Sequence, residues 1–174
     1  MRELSSLMLL FSSCSLFAID KTITKMKKEI DRAYIAGFLD GDGSLMLQLK
    51  KRGDSKRGIR FMATICFYQD TRHEATLYWI QKILGKGYTS RRNDGMTELR
   101  INGYKAVYEI IEILKPYLRF KKVQAEALSE ACHMLSNTKF KMLNREQLVR
   151  LVDLVLVIQN ENYVTKKKKT RDEL

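Results

Sequence analysis

The chain has 174 residues, a single proline and a 45% hydrophobic fraction, which suits one domain with its own core and excludes a linker-rich or low-complexity protein. Lys and Arg outnumber Asp and Glu by 32 to 20, a formal charge of +12, which favours a polyanionic partner, nucleic acid before anionic membrane, although a merely soluble basic protein also fits. Cys14, Cys66 and Cys132 are odd in number and scattered, which excludes a disulfide framework and reads as thiols in a reducing compartment.

In chain order, Leu7 to Ile19 (LMLLFSSCSLFAI) resembles a short signal-peptide core, and the chain ends RDEL, close to a retrieval tetrapeptide. The leading MRE is not basic, no A-x-A site follows, and the apolar run is too short to span a bilayer. A lysine run precedes RDEL, as in a solvated tail. Residues 1–27 are therefore expected to be a non-catalytic extension, 28–162 the folded domain and 163–174 a basic tail, with no membrane as partner.

From Glu29 to Leu39 the pattern is helical, with Ile30, Tyr34 and Phe38, and Ile35 and Leu39, at helical spacing. It stops in Gly41-Asp42-Gly43. Ser44 to Lys51 alternates as a strand, 52–57 is a polar loop, and Gly58 to Gln69 returns as a second strand. Thr71-Arg72-His73-Glu74 has the form of a capping box for a helix ending at Leu84-Gly85. Gly87–Arg92 and Met96–Asn102 are strands joined through Asn93-Asp94-Gly95. Helices are predicted over Tyr104–Leu114, broken near Pro116, over Lys122–Leu135, and over Asn144–Asn160, capped by Asn144 with Gln147 and stapled by Leu143 and Leu148. The class is α+β with an antiparallel sheet.

One sheet face must pack under the helices and the other is free for a partner. Its outward residues should include Ser44, Gln48, Lys50, Arg60, Arg92, Glu98 and Arg100, long, polar and mostly cationic. A twisted ribbon of such side chains fits a DNA major groove, while a plain solvated face needs no ligand.

Residues 33–43 (AYIAGFLDGDG) carry the most information. Gly37 and Gly41 lie four apart beside Ala36, so one helical face is small. Glycine inside a helix costs about 1 kcal/mol relative to alanine, and close approach of another backbone is the natural compensation. Asp42 is expected beyond the last helical turn, exposed and held by backbone, as a hard-oxygen ligand for Mg²⁺. A plain acidic turn remains an alternative. A calcium loop fails, because the sixth position from Asp40 is Leu45 and the twelfth is Lys51. A phosphate-cradling loop is poor, since two acids would repel phosphate.

Ile35 to Gly43 (IAGFLDGDG) resembles the LAGLIDADG motif of homing endonucleases, with departures at Ile35, Phe38, Leu39 and Gly41. The resemblance extends from about Tyr34 to Ser136 through YQDT at 68–71, LGKGY at 84–88 and LKPYLRFKKVQA at 114–125. It implies an αββαββα fold with a saddle-shaped antiparallel sheet, followed here by additional C-terminal helices. A single motif implies a homodimer, its interface including Ile35, Gly37, Phe38 and Gly41, acting on a long near-palindromic double-stranded DNA target and leaving short 3′ overhangs.

By the same resemblance Asp42 and the Gly41 carbonyl hold Mg²⁺, with Mn²⁺ or Ca²⁺ fitting the same sites. Gln69 positions water, Lys121 stabilises phosphate charge, and Tyr68 joins the DNA-contacting residues. His73 stands where relatives often carry a basic residue and is taken as a further catalytic candidate, with Arg72 as its substitute. Asp40 is expected to cap or shape the motif. Rival readings are an intron maturase binding RNA and a non-catalytic DNA-binding regulator. The implied location is an organelle interior for an organelle-encoded gene, the cytoplasm otherwise, and not the secretory path.

Overall fold

The computed structural model describes residues 3–51, 58–162 and 170, with side chains described from residue 21 onward except that of Lys141. The predicted loop at 52–57, the basic tail and the terminal RDEL lie outside the described residues.

A single helix, α1 (Glu3–Asp42), feeds directly into β1 (Gly43–Lys51), which turns back as β2 (Ile59–Asp70). A 3₁₀ turn over Thr71–His73 leads to α2 (Ala75–Leu84), then the hairpin β3 (Tyr88–Arg91) and β4 (Met96–Asn102). α3 (Tyr104–Leu114), a 3₁₀ turn at Lys115–Tyr117 around the proline, α4 (Lys122–Asn137) and α5 (Arg145–Glu161) complete the order. The predicted α+β class holds, with the αββαββα sequence of elements followed by two further helices, α4 and α5.

The four strands pair antiparallel in the order β1-β2-β4-β3. Alternation decides which side each residue takes. Leu45, Leu47, Phe61, Ala63, Ile65, Phe67, Leu99 and Ile101 point inward and join Ile80, Ile110, Leu128 and Leu151 of the helices in one buried cluster. Burying each such side chain is worth about 1.5–3 kcal/mol relative to exposure, so this face fixes the register of the sheet. The opposite face is left bare of helices.

Three local expectations need correction. The first helix begins far upstream of Glu29 and runs unbroken to Asp42, so Asp42 is the last helical residue rather than one beyond the helix. No proline or glycine interrupts residues 3–36, and nothing in that stretch stops a helix once started. The Thr71–Glu74 capping box does not form. Asp70 caps the 3₁₀ turn instead, accepting from the Arg72 backbone N–H at 2.8 Å. Thr71 Oγ1 lies 3.0 Å from Thr97 Oγ1, while the Glu74 carboxylate accepts from Thr97 Oγ1 at 2.8 Å and from Arg91 Nε at 3.0 Å. Tertiary partners across the β3–β4 hairpin thus outcompete the local box. Finally, Ile35 is 0% exposed and belongs to the chain's own core rather than to a dimer interface. It shares the inward face of α1 with Ala36 and Leu39, opposite Gly37 and Gly41.

Other local signals form as read. Asn144 caps α5 with the reciprocal Gln147 bonds at 2.8 and 3.0 Å. Gly85 closes α2 in the left-handed region at φ 64°, donating to the Gln81 carbonyl. Among the described residues no helix is long and apolar enough to cross a membrane.

Candidate active site and nucleic-acid interface

The end of α1 is built for a tight transition. A Cβ on Gly43 would lie 2.8 Å from both the Cα and the carbonyl oxygen of Leu39, so only glycine lets β1 leave the helix without a loop. That places Asp42 at the junction. Its carboxylate is exposed and takes no hydrogen bond among the described residues, which leaves its oxygens open to a ligand.

Asp40, two residues earlier, does the opposite. It is 8% exposed, and its carboxylate accepts the backbone N–H groups of Arg119 (2.6 Å), Phe120 (3.2 Å) and Lys121 (3.0 Å). This carboxylate sits at the N-terminus of α4, where the helix dipole favours negative charge. The Lys121 ammonium in turn donates to the Asp40 carbonyl oxygen. Asp40 therefore clamps the 119–121 segment onto the motif and balances the lysine that opens α4. Partial burial pushes the Lys121 ammonium below the usual lysine range, opposed by the nearby charges of Asp40 and Asp42.

An open cleft of about 770 Å³ collects Gly41, Asp42, Gln69 and Lys121, three of the four predicted catalytic residues together with the predicted metal-ligand carbonyl. Gln69 ends β2 on the inward side and folds back so that its Oε1 accepts the Asp70 N–H at 2.8 Å. The fourth, His73, lies on the exposed 3₁₀ turn and does not line this cleft. Beside it, Arg72 is engaged with Asp70 through Nε at 3.0 Å and Nη2 at 2.8 Å, which holds the Asp70 carboxyl well below the usual range. Residues not anticipated from sequence also line the cleft: Asp70, Met96, and Gln159 and Asn162 from the end of α5. No spacing signal links the end of α5 to a motif more than a hundred residues earlier.

On the open sheet face, register places Ser44, Gln48 and Lys50 of β1 beside Arg60 and Tyr68 of β2, and Glu98 and Arg100 of β4 beyond them. Those seven predicted residues share one face. Arg92 lies just past the end of β3, tied to Asp94 at 2.8 Å. Met46, Met62, Thr64, Cys66, Tyr88, Ser90 and Asn102 also fall on this face by parity, so its middle is less cationic than expected. Alternation counted outward from Arg92 would have found Tyr88 and Ser90.

The face carries its own polar network. Arg100 donates to Glu98 through Nε at 3.2 Å and Nη2 at 3.0 Å, Ser44 Oγ donates to Tyr68 Oη at 3.4 Å, and Thr64 Oγ1 donates to Asn102 Oδ1 at 2.7 Å. Burial raises the Cys66 thiol and the Tyr68 phenol above their ordinary values, so both stay neutral donors. Neutral hydroxyls and a paired Arg–Glu set are groups that can exchange their partners for base edges.

Gly37 and Gly41 are both exposed, and a Cβ added at either would meet nothing within 4 Å. Nothing inside the protomer demands glycine there.

Comparison with known proteins agrees with this geometry. A family model described as LAGLIDADG endonuclease matches residues 35–128. DNA endonuclease I-CvuI of Chlorella vulgaris is 34% identical over 116 residues, 67% of this chain and 72% of that protein. DNA endonuclease I-CreI of Chlamydomonas reinhardtii is 28% identical over 116 residues, 67% of this chain and 70% of that protein. The crystal structure of I-CvuI in complex with its target in the presence of calcium matches with a TM-score of 0.76 at 28% identity, covering 84% of this chain and 91% of that one.

Proposed function

The chain belongs to the LAGLIDADG endonuclease family, and from that premise we propose that it is a site-specific homing endonuclease which cuts double-stranded DNA as a homodimer with Mg²⁺. The observation that carries the reading is the exposed, unengaged Asp42 at the tip of a helix whose small face is open, in one cleft with Gln69 and Lys121. Glycines that cost about 1 kcal/mol each against alanine, with no use inside the protomer, are matched by the close approach of a second motif helix. Pairing two such helices through Gly37 and Gly41 brings two Asp42 carboxylates together near a two-fold axis and implies a near-palindromic target. Phe38, half-buried against Phe67 with ring centroids 6.1 Å apart, flanks that face.

The donor set fits a hard divalent cation: the Asp42 carboxylate, whose oxygens take no hydrogen bond among the described residues, and the adjacent Gly41 carbonyl. When bound, such a cation lowers the pKa of the attacking water and neutralises charge on the phosphate. Among the described residues no group of three or more His, Cys, Asp or Glu could hold a metal, which suits a site completed by a second copy and by DNA phosphate. Gln69, with a carboxamide that both accepts and donates, orients the water. Lys121, fixed by Asp40, presents positive charge to the developing phosphate charge. The outward sheet face lies along the major groove, with Lys50 and Arg60 at the tip meeting phosphates and Tyr68, Glu98 and Arg100 reading bases. I-CvuI has been crystallised with its target in calcium and, in magnesium, with uncleaved I-CreI target, consistent with divalent-metal use in this family.

The test uses a plasmid carrying the uninterrupted form of the gene that hosts the coding intron. Mg²⁺ should allow linearisation and a chelator should prevent it. Asp42→Asn should abolish cutting while retaining a gel shift of the same duplex in Ca²⁺. Unimpaired cutting by Asp42→Asn, or a monomer on cut DNA, would overturn the assignment.

A further inference from the structure

The first helix continues well beyond the motif, and the part between residues 21 and 30 is exposed at every position. A helical stretch exposed at every position draws little stability from packing, and helices of that kind are marginal in water. Yet this stretch is not uniformly polar. Ile23, Met26, Ile30 and Tyr34 are between 54% and 64% exposed. Tyr34 leans edge-on against Trp79 of α2, with ring centroids 5.5 Å apart, and the other three project past the body of the domain.

Their phase is informative. At about 100° per residue, positions 23, 26, 30, 34, 37 and 41 fall within a sector of about 80°. The buried residues Ile35, Ala36 and Leu39 lie on the far side of the same helix. The apolar stripe is therefore continuous with the Gly37–Gly41 face and points away from the protomer's own core. Opposite it on the exposed stretch run Lys21, Lys25, Lys28 and Arg32, a basic stripe on the contrary face. The stripe's spacings of 3, 4, 4, 3 and 4 average 3.6 residues, so two straight helices can follow it without supercoiling.

We infer that the N-terminal extension is a second dimerisation element: Ile23, Met26, Ile30 and Tyr34 pack against the same residues of a second copy, lengthening the motif-helix contact to about 27 Å, from Gly41 to Ile23. The inference rests on the proposed homodimer, which sets the two motif helices side by side and parallel with their Asp42 ends together. A small crossing angle between them keeps the extensions alongside one another, as the continuous stripe requires. The glycines allow the helices to approach closely near the catalytic end, and the larger side chains upstream hold them at about 8–10 Å between axes. Dimer assembly then no longer depends on the motif helices and DNA alone, and a pair can form before the target is found.

Site-directed cross-linking of the full chain, in a Cys14→Ser background, tests this. Ile23→Cys and Ile30→Cys should form interprotomer disulfides under mild oxidation, while Lys25→Cys on the opposite face should not. Ile23→Glu combined with Ile30→Glu should raise the dimer dissociation constant in sedimentation by about tenfold or more, with the circular dichroism of the folded domain unchanged, since both sites are exposed in the protomer. A dimer in which neither stripe cysteine cross-links, or whose affinity survives both glutamates, overturns the inference and leaves the motif-helix dimer standing. A chain that sediments as a monomer and also binds DNA as one overturns both. Cross-linking equally at Lys25 would show an unspecific collision and count against the stripe. Loss of vesicle binding on the glutamate substitutions, with dimer affinity unchanged, would reassign the stripe to a lipid surface.

Discussion

Asp40 is the residue whose removal separates architecture from chemistry. Its carboxylate receives three backbone N–H groups from the 119–121 segment, and its carbonyl receives the Lys121 ammonium. A hydrogen bond to a charged group is worth about 1.5–3 kcal/mol net, but Arg119 and Phe120 are exposed, so water can replace their share in a variant. Between one and two bonds' worth should be lost in Asp40→Ala, about 2–4 kcal/mol. Asp40→Asn keeps one acceptor oxygen and should lose about 1–2 kcal/mol. Urea titration checks this: the midpoint should fall in that order with an unchanged slope. Cutting should fall further than stability explains, by about tenfold to a hundredfold under conditions where the variant remains folded, because the Lys121 backbone N–H loses its Asp40 carboxylate acceptor and the 119–121 segment is no longer held in register, while Asp42 is intact. An Asp40→Ala protein within about 0.5 kcal/mol of the parent would refute the clamp.

Gly37→Ala should stabilise the isolated protomer by about 0.5–1 kcal/mol, because the helix gains propensity and the new Cβ meets nothing, while weakening the dimer; thermal unfolding at low concentration against sedimentation separates the two effects. Hydrogen bonds from Arg91 and Thr97 hold the Glu74 carboxyl below the ordinary glutamate value, so its stabilisation is present above that ordinary value and is lost as pH falls through the lowered folded one. Glu74→Gln should flatten the acid limb of a melting-temperature profile below about pH 4.5, and an unchanged limb would count against the pair. Burial pushes the Cys132 thiol up to about 12, so mass spectrometry after alkylation at pH 8 should find its peptide unmodified until the protein is denatured.

Much of the fold was legible because its signals are local and periodic. The alternation of Leu45 and Leu47 with Ser44, Met46 and Gln48 predicted both a strand and its buried side, and Asn144 with Gln147 predicted a cap that forms. The Thr71–Glu74 box carried an equally good local signal and still failed. Thr97 and Arg91 reach Thr71 and Glu74 only once β3 and β4 have folded, and nothing within four residues reports them. The same blindness covers Asp40, whose partners lie some eighty residues downstream, so its capping role was anticipated but its partners were not. Asp42 was legible from its glycine-flanked position, whereas Gln69 and Lys121 emerged only through the family resemblance; spacing alone offered no reason to join positions so far apart. Placing Ile35 in the interface treated a helix with two apolar faces as though it had one. One face packs the sheet below and the other awaits a neighbour.

The pleat of β2 has a further consequence. Tyr68 and Gln69 are adjacent in the chain yet take opposite sides of the sheet by alternation, and both border the cleft where the two surfaces meet. Drift at the outward positions farther from the cleft, such as Arg60, can therefore alter which duplex is gripped while Gln69 stays in place, a partition that suits an element obliged to follow a wandering target. Adding or deleting one residue in that strand would exchange the two duties at a stroke, so change there should proceed by replacement and not by length.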